Sequence, residues 1–420
     1  MSIPPISSAL TVGDRPQSFR WWVCALLFAA TLLNYMDRQI LSLLKPILDD
    51  QFQWTNWQFG MVNSVFQGAY AFALVFWGWV MDRRSLRITF AMAIVIWSLA
   101  AMGHALVAGL AGLLTMRFLL GLGEGGGFPG AIKAVGEWFP TRERSLATSM
   151  FNSGSNVASV LAPAVVPWIA LTWGWPASFV APASLGLVLA VVWLACYRPP
   201  AAIKTGGTAK KLPWRQLLGI RQTWAFIAAK FLTDPVWWFL LIWLPDYFNK
   251  TRGLPLKESW VYLVGIYGII TVLSVAGGWV TGFLISRGWP VTRARKAGML
   301  GFALLVVPIC FVSFAGDWVA VLLIGLAGAA HQAWSATLFT TVSDVFPDDA
   351  VASVVGIGGM AGAIGGMLFP LACGLILDLY PATGYAILFS ACGLAYLVAF
   401  GFNHFLSPSF EPVNLRKQTL

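Results

Sequence analysis

Charge is scarce in this chain. Only 10% of its 420 residues are Asp, Glu, Lys or Arg, against 58% hydrophobic. A water-soluble fold of this size would have to hide most of that apolar surface, and the exposed area that grows with mass forbids it. Histidine is rarer still, with three residues, and the five cysteines (Cys24, Cys196, Cys310, Cys373 and Cys392) have no metal-type spacing. They read as small packing residues, and no metal or other cofactor is expected. No Ser/His/Asp set or sizeable hydrophilic domain stands out, so an enzyme is not expected. Nor is a cleavable leader, because the first apolar run, from Trp21, is too long for a signal h-region and further runs follow. Alternating segments of about ten residues, the mark of a membrane β-barrel, are missing too. The apolar runs are about 20 residues long, which is the length of a bilayer-crossing helix.

What the chain does have is 22 Trp and 42 Gly, suited to interfacial anchoring and to close helix packing. The runs predict about twelve spans, at roughly 20–44, 57–80, 88–108, 111–133, 146–170, 176–197, 224–248, 260–286, 295–314, 318–341, 352–378 and 383–406. The longest polar interval, 198–221, divides them into an N-terminal bundle (1–197) and a C-terminal bundle (222–420), six spans each. With the N-terminus inside, nineteen Lys and Arg fall on the inner side and four outside: Lys45, Lys250, Arg252 and Lys257. That asymmetry predicts a multi-pass inner-membrane protein with both termini cytoplasmic. It also accounts for the net charge of +10 without nucleic acid, since the basic residues are scattered over short loops. Gly78-Trp79-Val80 recurs as Gly278-Trp279-Val280, and Trp138-Phe139-Pro140 is echoed by Val345-Phe346-Pro347. Such repeats mark two-bundle transporters, with the substrate site at the midplane between the bundles.

Several polar residues fall inside the apolar runs, where they are costly unless they face water or one another. Asn34-Tyr35-Met36-Asp37-Arg38 lies deep in the first span. Arg117 and Glu124 in the fourth are seven residues apart and share a helix face. Arg offers a carboxylate a planar fork, and Glu can take up a proton; a purely structural ion pair is the other reading. Gly121-Leu-Gly123-Glu-Gly125-Gly126 matches a dinucleotide fingerprint, but no strand precedes it, and close helix packing is expected instead. Gly358, Gly362 and Gly366 form a second small-residue ridge. His331-Gln332 falls at the repeat position of Glu124, as a cavity group or as a packed histidine. Asp234-Pro235-Val-Trp237-Trp238 is placed at the opening of the seventh span, its Trp pair facing either sugar or lipid. After the second span, Asp82-Arg83-Arg84-Ser-Leu-Arg87 reads as an inner gate, or else simply as a positive loop.

That loop, preceded by Gly78, resembles the Gly-x-x-x-Asp-Arg-x-Gly-Arg motif of the major facilitator superfamily, with Ser85 in place of the usual Gly. Tyr35-Met-Asp37-Arg38, Arg117 with Glu124, and Glu137-Trp-Phe-Pro-Thr-Arg142-Glu-Arg144-Ser resemble its anion:cation symporter family. Phe231-Leu-Thr-Asp-Pro-Val-Trp237, Ala330-His331-Gln332-Ala333 and Ser343-Asp344-Val-Phe are similar to the hexuronate branch. The resemblance covers nearly the whole chain and implies an all-α fold of two six-helix bundles. It implies proton-driven import of glucuronate or galacturonate, and a monomer is expected. Arg38 would bind the substrate carboxylate, with Asp37 and Glu124 as protonation sites paired with Arg117. Tyr35 and Tyr70 would bond sugar hydroxyls. Ser155 or Asn156 stands where sugar-acid relatives use Gln. Trp237, His331 and Gln332 complete the expected substrate site, and Asp82, Arg83, Arg87 and Arg142 the gate. The same fold carrying an aldonate, aldarate or aromatic acid is the alternative. A drug/proton antiporter is disfavoured, because Arg38 and Arg117 bring positive charge to the cavity.

Overall fold

The computed structural model of the protein describes residues 18–199 and 214–413, and among these every regular element is helical. The bilayer offers backbone groups no water, so each apolar run bonds its own N–H and C=O groups within a helix. In chain order the helices of the first half are α1 (Phe19–Leu43), α2 (Lys45–Phe52), α3 (Asn56–Arg83), α4 (Leu86–Gly103), α5 (Leu110–Glu124), α6 (Gly127–Trp138), α7 (Thr141–Trp173) and α8 (Trp175–Cys196). The short α9 (Trp214–Leu218) falls in the expected linker, most of which lies outside the described residues. The second half contains α10 (Arg221–Ile242), α11 (Leu244–Lys250), α12 (Leu256–Ser286), α13 (Val291–Val306), α14 (Asp317–Val345), α15 (Asp348–Leu379) and α16 (Gly384–Leu406).

Eleven helical stretches among the described residues are long and apolar enough to cross a membrane. The expected fourth span is broken instead, with α5 stopping at Glu124 and α6 starting at Gly127. Gly125-Gly126 at the break has the weakest helix propensity of any non-proline pair. Close packing explains the other glycines. A Cβ on Gly121 would lie 2.5 Å from the Phe66 carbonyl oxygen of α3, and one on Gly123 2.5 Å from the Trp97 nitrogen of α4. The span exchanges continuity for intimacy with both neighbours.

A second correction concerns the seventh span. Asp234-Pro235 does not open it but lies in the middle of α10, which already begins at Arg221. The polar start Arg221-Gln222-Thr223 resembles linker, yet it forms helix. Pro235 has no N–H, which frees the Phe231 carbonyl. Gly365 lets α15 press against that oxygen, with a Cβ there only 2.6 Å from it. The glycine ridge of α15 does the same along its length: Gly358 abuts Phe226, Gly362 abuts Asp234, and Gly366 abuts Trp238.

The two halves meet at one end of the molecule. One apolar core lies within residues 23–197, while the other fills the second half and reaches across to Leu44, Phe59 and Val62. The hydrogen bonds and ion pairs between halves, among the described residues, all join α2 and the start of α3 to α11 and the end of α15. Lys45, fully buried, donates to Asp246 at 2.9 Å as well as to Asp49 (2.7 Å) and Asn56 (3.0 Å) in its own half. Tyr385 donates to Asp246 at 2.5 Å, and Lys250 lies 2.9 Å from Asp49. Asp378 accepts from the backbone N–H groups of Asn56 and Trp57. At the opposite end, where the described residues begin and end, the polar contacts stay within each half: Arg20 with Glu143, and Arg295 with Asp344. The molecule is therefore sealed at one end, with no polar link between its halves at the other among the described residues.

Candidate functional site

The first-span motif sits about two-thirds of the way along α1, where the halves part. Arg38 and Glu124 form a buried ion pair, Nε to Oε2 at 2.5 Å, bringing α1 to the break between α5 and α6. Arg117 was expected to hold Glu124, but Arg38 does so. Arg117 makes no ion pair within 4 Å among the described residues, although it is 1% exposed. The shared face of Arg117 and Glu124 exists, but a residue from another helix lies closer to the carboxylate.

Aromatic rings hold the Arg38 guanidinium in place. Its carbon lies 4.4 Å from the centre of the Tyr70 ring, 4.7 Å from Tyr35 and 5.9 Å from Trp238 of the other half. Ring faces attract a cation without neutralising it. Glu124 reaches only Nε, and no second carboxylate meets the fork among the described residues. The guanidinium therefore keeps capacity for another planar anion.

Around this pair are buried polar atoms with no hydrogen-bond partner among the described residues: both carboxylate oxygens of Asp37, Glu124 Oε1, Arg117 Nε and Nη2, Asn34 Nδ2 and Gln67 Nε2. Groups of this kind persist inside a membrane protein only where water or a ligand meets them. Asn34 and Glu124 border one small space and Gln67 and Arg117 another, with Tyr35 and Arg38 lining both. One, a small cavity of about 40 Å³, is lined by Asn34, Tyr35, Arg38, Tyr70, Glu124 and Asn152. The other lies against the second half and is lined by Arg38, Gln67, Arg117 and Trp238 among others.

Other expected residues lie elsewhere. The fifth-span contribution to the cavity is Asn152, one turn before the expected position. Ser155 is occupied with the Asn152 carbonyl at 2.7 Å, and Asn156 is half-buried without a hydrogen bond among the described residues. Trp237 does not reach Arg38. It stacks on His331, ring centres 5.5 Å apart and 7° from parallel, while His331 Nδ1 bonds the Tyr396 hydroxyl at 2.5 Å. Gln332 beside it is half-buried. These residues form a separate cluster in the second half. Near it is a pair that sequence reasoning missed, Lys230 with Asp234 at 2.7 Å. Its i,i+4 spacing was the available signal. The Lys45–Asp246 contact was missed as well. Its signal was the repeat itself, because the two are 201 residues apart and repeat-mates face each other across a two-bundle interface.

In the gate loop, Asp82 is exposed and makes no ion pair among the described residues. Arg83 lies over the Trp79 ring at 4.3 Å, and Arg87 donates to the Leu194 carbonyl of its own half. The Arg142 side chain lies outside the described residues.

Comparison with known proteins agrees with this architecture. The chain is 29% identical over 401 residues to the hexuronate transporter of Escherichia coli K12, covering 89% of this chain and 90% of that one. It is 30% identical over 260 residues to the galacturonate transporter of Dickeya chrysanthemi, covering 58% and 75%. Its backbone superposes with a TM-score of 0.79 on a bacterial homolog of the human lysosomal transporter Spinster in an inward-facing, unoccupied conformation, at 18% identity over 95% of this chain and 98% of that one. A family model described as Major Facilitator Superfamily matches residues 27–370. A helical fold with eleven stretches able to cross a membrane, matched by the family model over most of its length, makes this chain a member of the Major Facilitator Superfamily of transporters.

Proposed function

We propose that the protein is a proton-coupled symporter that imports a hexuronate, such as glucuronate or galacturonate, by alternating access, with both termini in the cytoplasm. The observation that carries this reading is the Arg38–Glu124 pair at the cavity wall. One guanidinium serves two anions, Glu124 and an incoming carboxylate. Protonation of Glu124 cancels its charge and releases Arg38 to the substrate. By linkage, proton and substrate then favour each other's binding, as symport demands. Asp37, buried beside the pair with both oxygens unpartnered, is the second proton carrier. Tyr35, Tyr70, Asn34 and Asn152 offer hydroxyl and amide groups to a polyol, and the similarity to two uronate transporters supports the choice of sugar acid. The basic loops grouped on the side where the described residues begin and end support the orientation.

The test is uptake of labelled glucuronate and galacturonate into proteoliposomes under an imposed pH gradient. Wild type should accumulate at least one of them, and a protonophore should abolish accumulation. Arg38→Lys should fail, because an ammonium lacks the planar fork and the lost interaction is worth about 2–5 kcal/mol. Wild-type protein that accumulates neither acid, or an Arg38→Lys variant of unchanged affinity, would refute the assignment.

A further inference from the structure

The second half contains a buried cation that the Arg38 site does not use. Lys230 lies within a membrane-crossing helix, 6% exposed, with its ammonium 2.7 Å from Asp234 one turn along α10. An ion pair in an apolar span costs more than a hydrophobic pair of the same shape, so its presence asks for a use. The ammonium has three donors. Among the described residues one carboxylate oxygen takes one of them, and the Phe339 ring of α14, 4.6 Å away, covers another side. Lys230 is thus held with donor capacity to spare. Asp234 is the more exposed partner, its side chain 20% exposed and lying against Gly362 of α15, where any Cβ would lie 2.1 Å from Oδ2.

The position of the pair along α10 gives it a role. Trp238 lies within 5.9 Å of the Arg38 guanidinium. Lys230 is eight residues nearer the start of α10, about 12 Å along the helix axis. That start lies at the end of the molecule where the described residues begin and end, and where those of the two halves share no polar contact. A single carboxylate bonds a cation at about 2.8 Å and cannot bridge such a gap. Between the two cations, Trp237 projects from nearly the same face of α10 as Lys230, seven residues on, and stacks on His331.

We propose that Lys230 is a second carboxylate-binding station, which takes the sugar acid after it leaves Arg38 and passes it toward the end where α10 starts, with Asp234 as the resident anion that the substrate displaces and that expels it again. This rests on the sugar-acid reading above. At Lys230 the ammonium exchanges one carboxylate for another, so this buried cation keeps an anionic partner. Asp234 sets the holding time. Without it the station would bind too well and release slowly.

The experiment pairs equilibrium binding of glucuronate to purified protein with counterflow exchange in proteoliposomes. It compares wild type, Lys230→Gln with Asp234→Asn, Lys230→Arg, and Asp234→Asn alone. The double variant removes both charges together, so that none is left stranded; a monodisperse gel-filtration profile checks its fold. It should bind glucuronate with little change yet exchange it about tenfold more slowly, the loss of one charge-assisted hydrogen bond. Lys230→Arg should recover most of the exchange. Asp234→Asn alone should bind several-fold tighter and also exchange more slowly. Exchange at the wild-type rate in the double variant would overturn the proposal. So would loss of binding as complete as that of Arg38→Lys, which would make Lys230 part of one simultaneous site. Weaker binding in Asp234→Asn would reduce the pair to scaffolding. Wild-type protein that neither binds nor exchanges any hexuronate would refute the transport reading itself and the station with it.

Discussion

Replacing Lys45 with methionine keeps the length of the side chain and deletes its charge at the sealed end. In the closed arrangement its ammonium donates to Asp246, Asp49 and Asn56. Removing one member of a buried pair typically costs about 3–5 kcal/mol, because the other is left uncompensated. Here the loss is smaller. Asp246 keeps the Tyr385 hydroxyl at 2.5 Å and Lys250 at 3.2 Å, and Asp49 keeps Lys250 at 2.9 Å. A net loss of about 2 kcal/mol is reasonable, which shifts the closed-to-open ratio at this end roughly thirtyfold. Spin labels at exposed Asp50 and Thr383, one in each half, would report it by pulsed dipolar spectroscopy after the native cysteines are replaced. The parent should give a short distance and Lys45→Met a second, longer population; Asp246→Asn should give the same. An unchanged distribution in both variants would mean that apolar packing alone closes this end.

Other expectations follow from neighbouring features. Gly60→Val and Gly374→Val should open the same end by steric force, since a Cβ at either position lies 2.3 Å from a backbone oxygen across the interface; a short distance retained between the same labels would refute this. Glu124→Gln should keep counterflow exchange and lose accumulation against a gradient, so accumulation driven by pH alone in this variant would remove Glu124 from coupling. At the sealed end, burial pushes the Asp49 carboxyl upward, but Lys45 and Lys250 outweigh it and hold the group below its ordinary 3.8. Its contribution to closure is therefore present above the free value and lost only as pH falls through the lower one. The label distance should be flat between about pH 5 and pH 7.5, and a shift in that window would contradict the sign.

Much of this fold was legible in the sequence because the bilayer enforces simple rules. Long apolar runs became helices, and the glycine ridge of α15 packed as its spacing implied, against α10. Charges inside spans located the Arg38 region, since few other reasons place Asp37, Arg38, Arg117 and Glu124 there. What the residues could not fix was which cation met which anion. Arg117 and Glu124 share a face, but the rotation of α1 brings Arg38 closer, and that depends on packing between helices 86 positions apart. Asn152 replaced Ser155 and Asn156 for a similar reason: one turn of a long helix decides which side chain faces the cavity. The start of α10 was misplaced because a polar first turn looks like loop until the following helix is seen to continue it. Glu124 at a helix break was hidden as well, since a run of apolar residues and glycine scores as one span even where the helix stops.

The charged cluster at the sealed end has a consequence for turnover. Each of its principal charges has a partner in its own half: Lys45 has Asp49, and Asp246 has Tyr385 and Lys250. When the halves separate, every ion trades one neighbour for water and keeps another, so neither arrangement is a deep well. A carrier must visit both, and a seal of this kind works like a clutch that slips under modest load. It also faces the medium beyond the membrane on that side. Dissolved ions there screen exposed charges such as Lys250 within about a nanometre. The salinity of the surroundings is thus a setting on how long the empty carrier waits with this end closed.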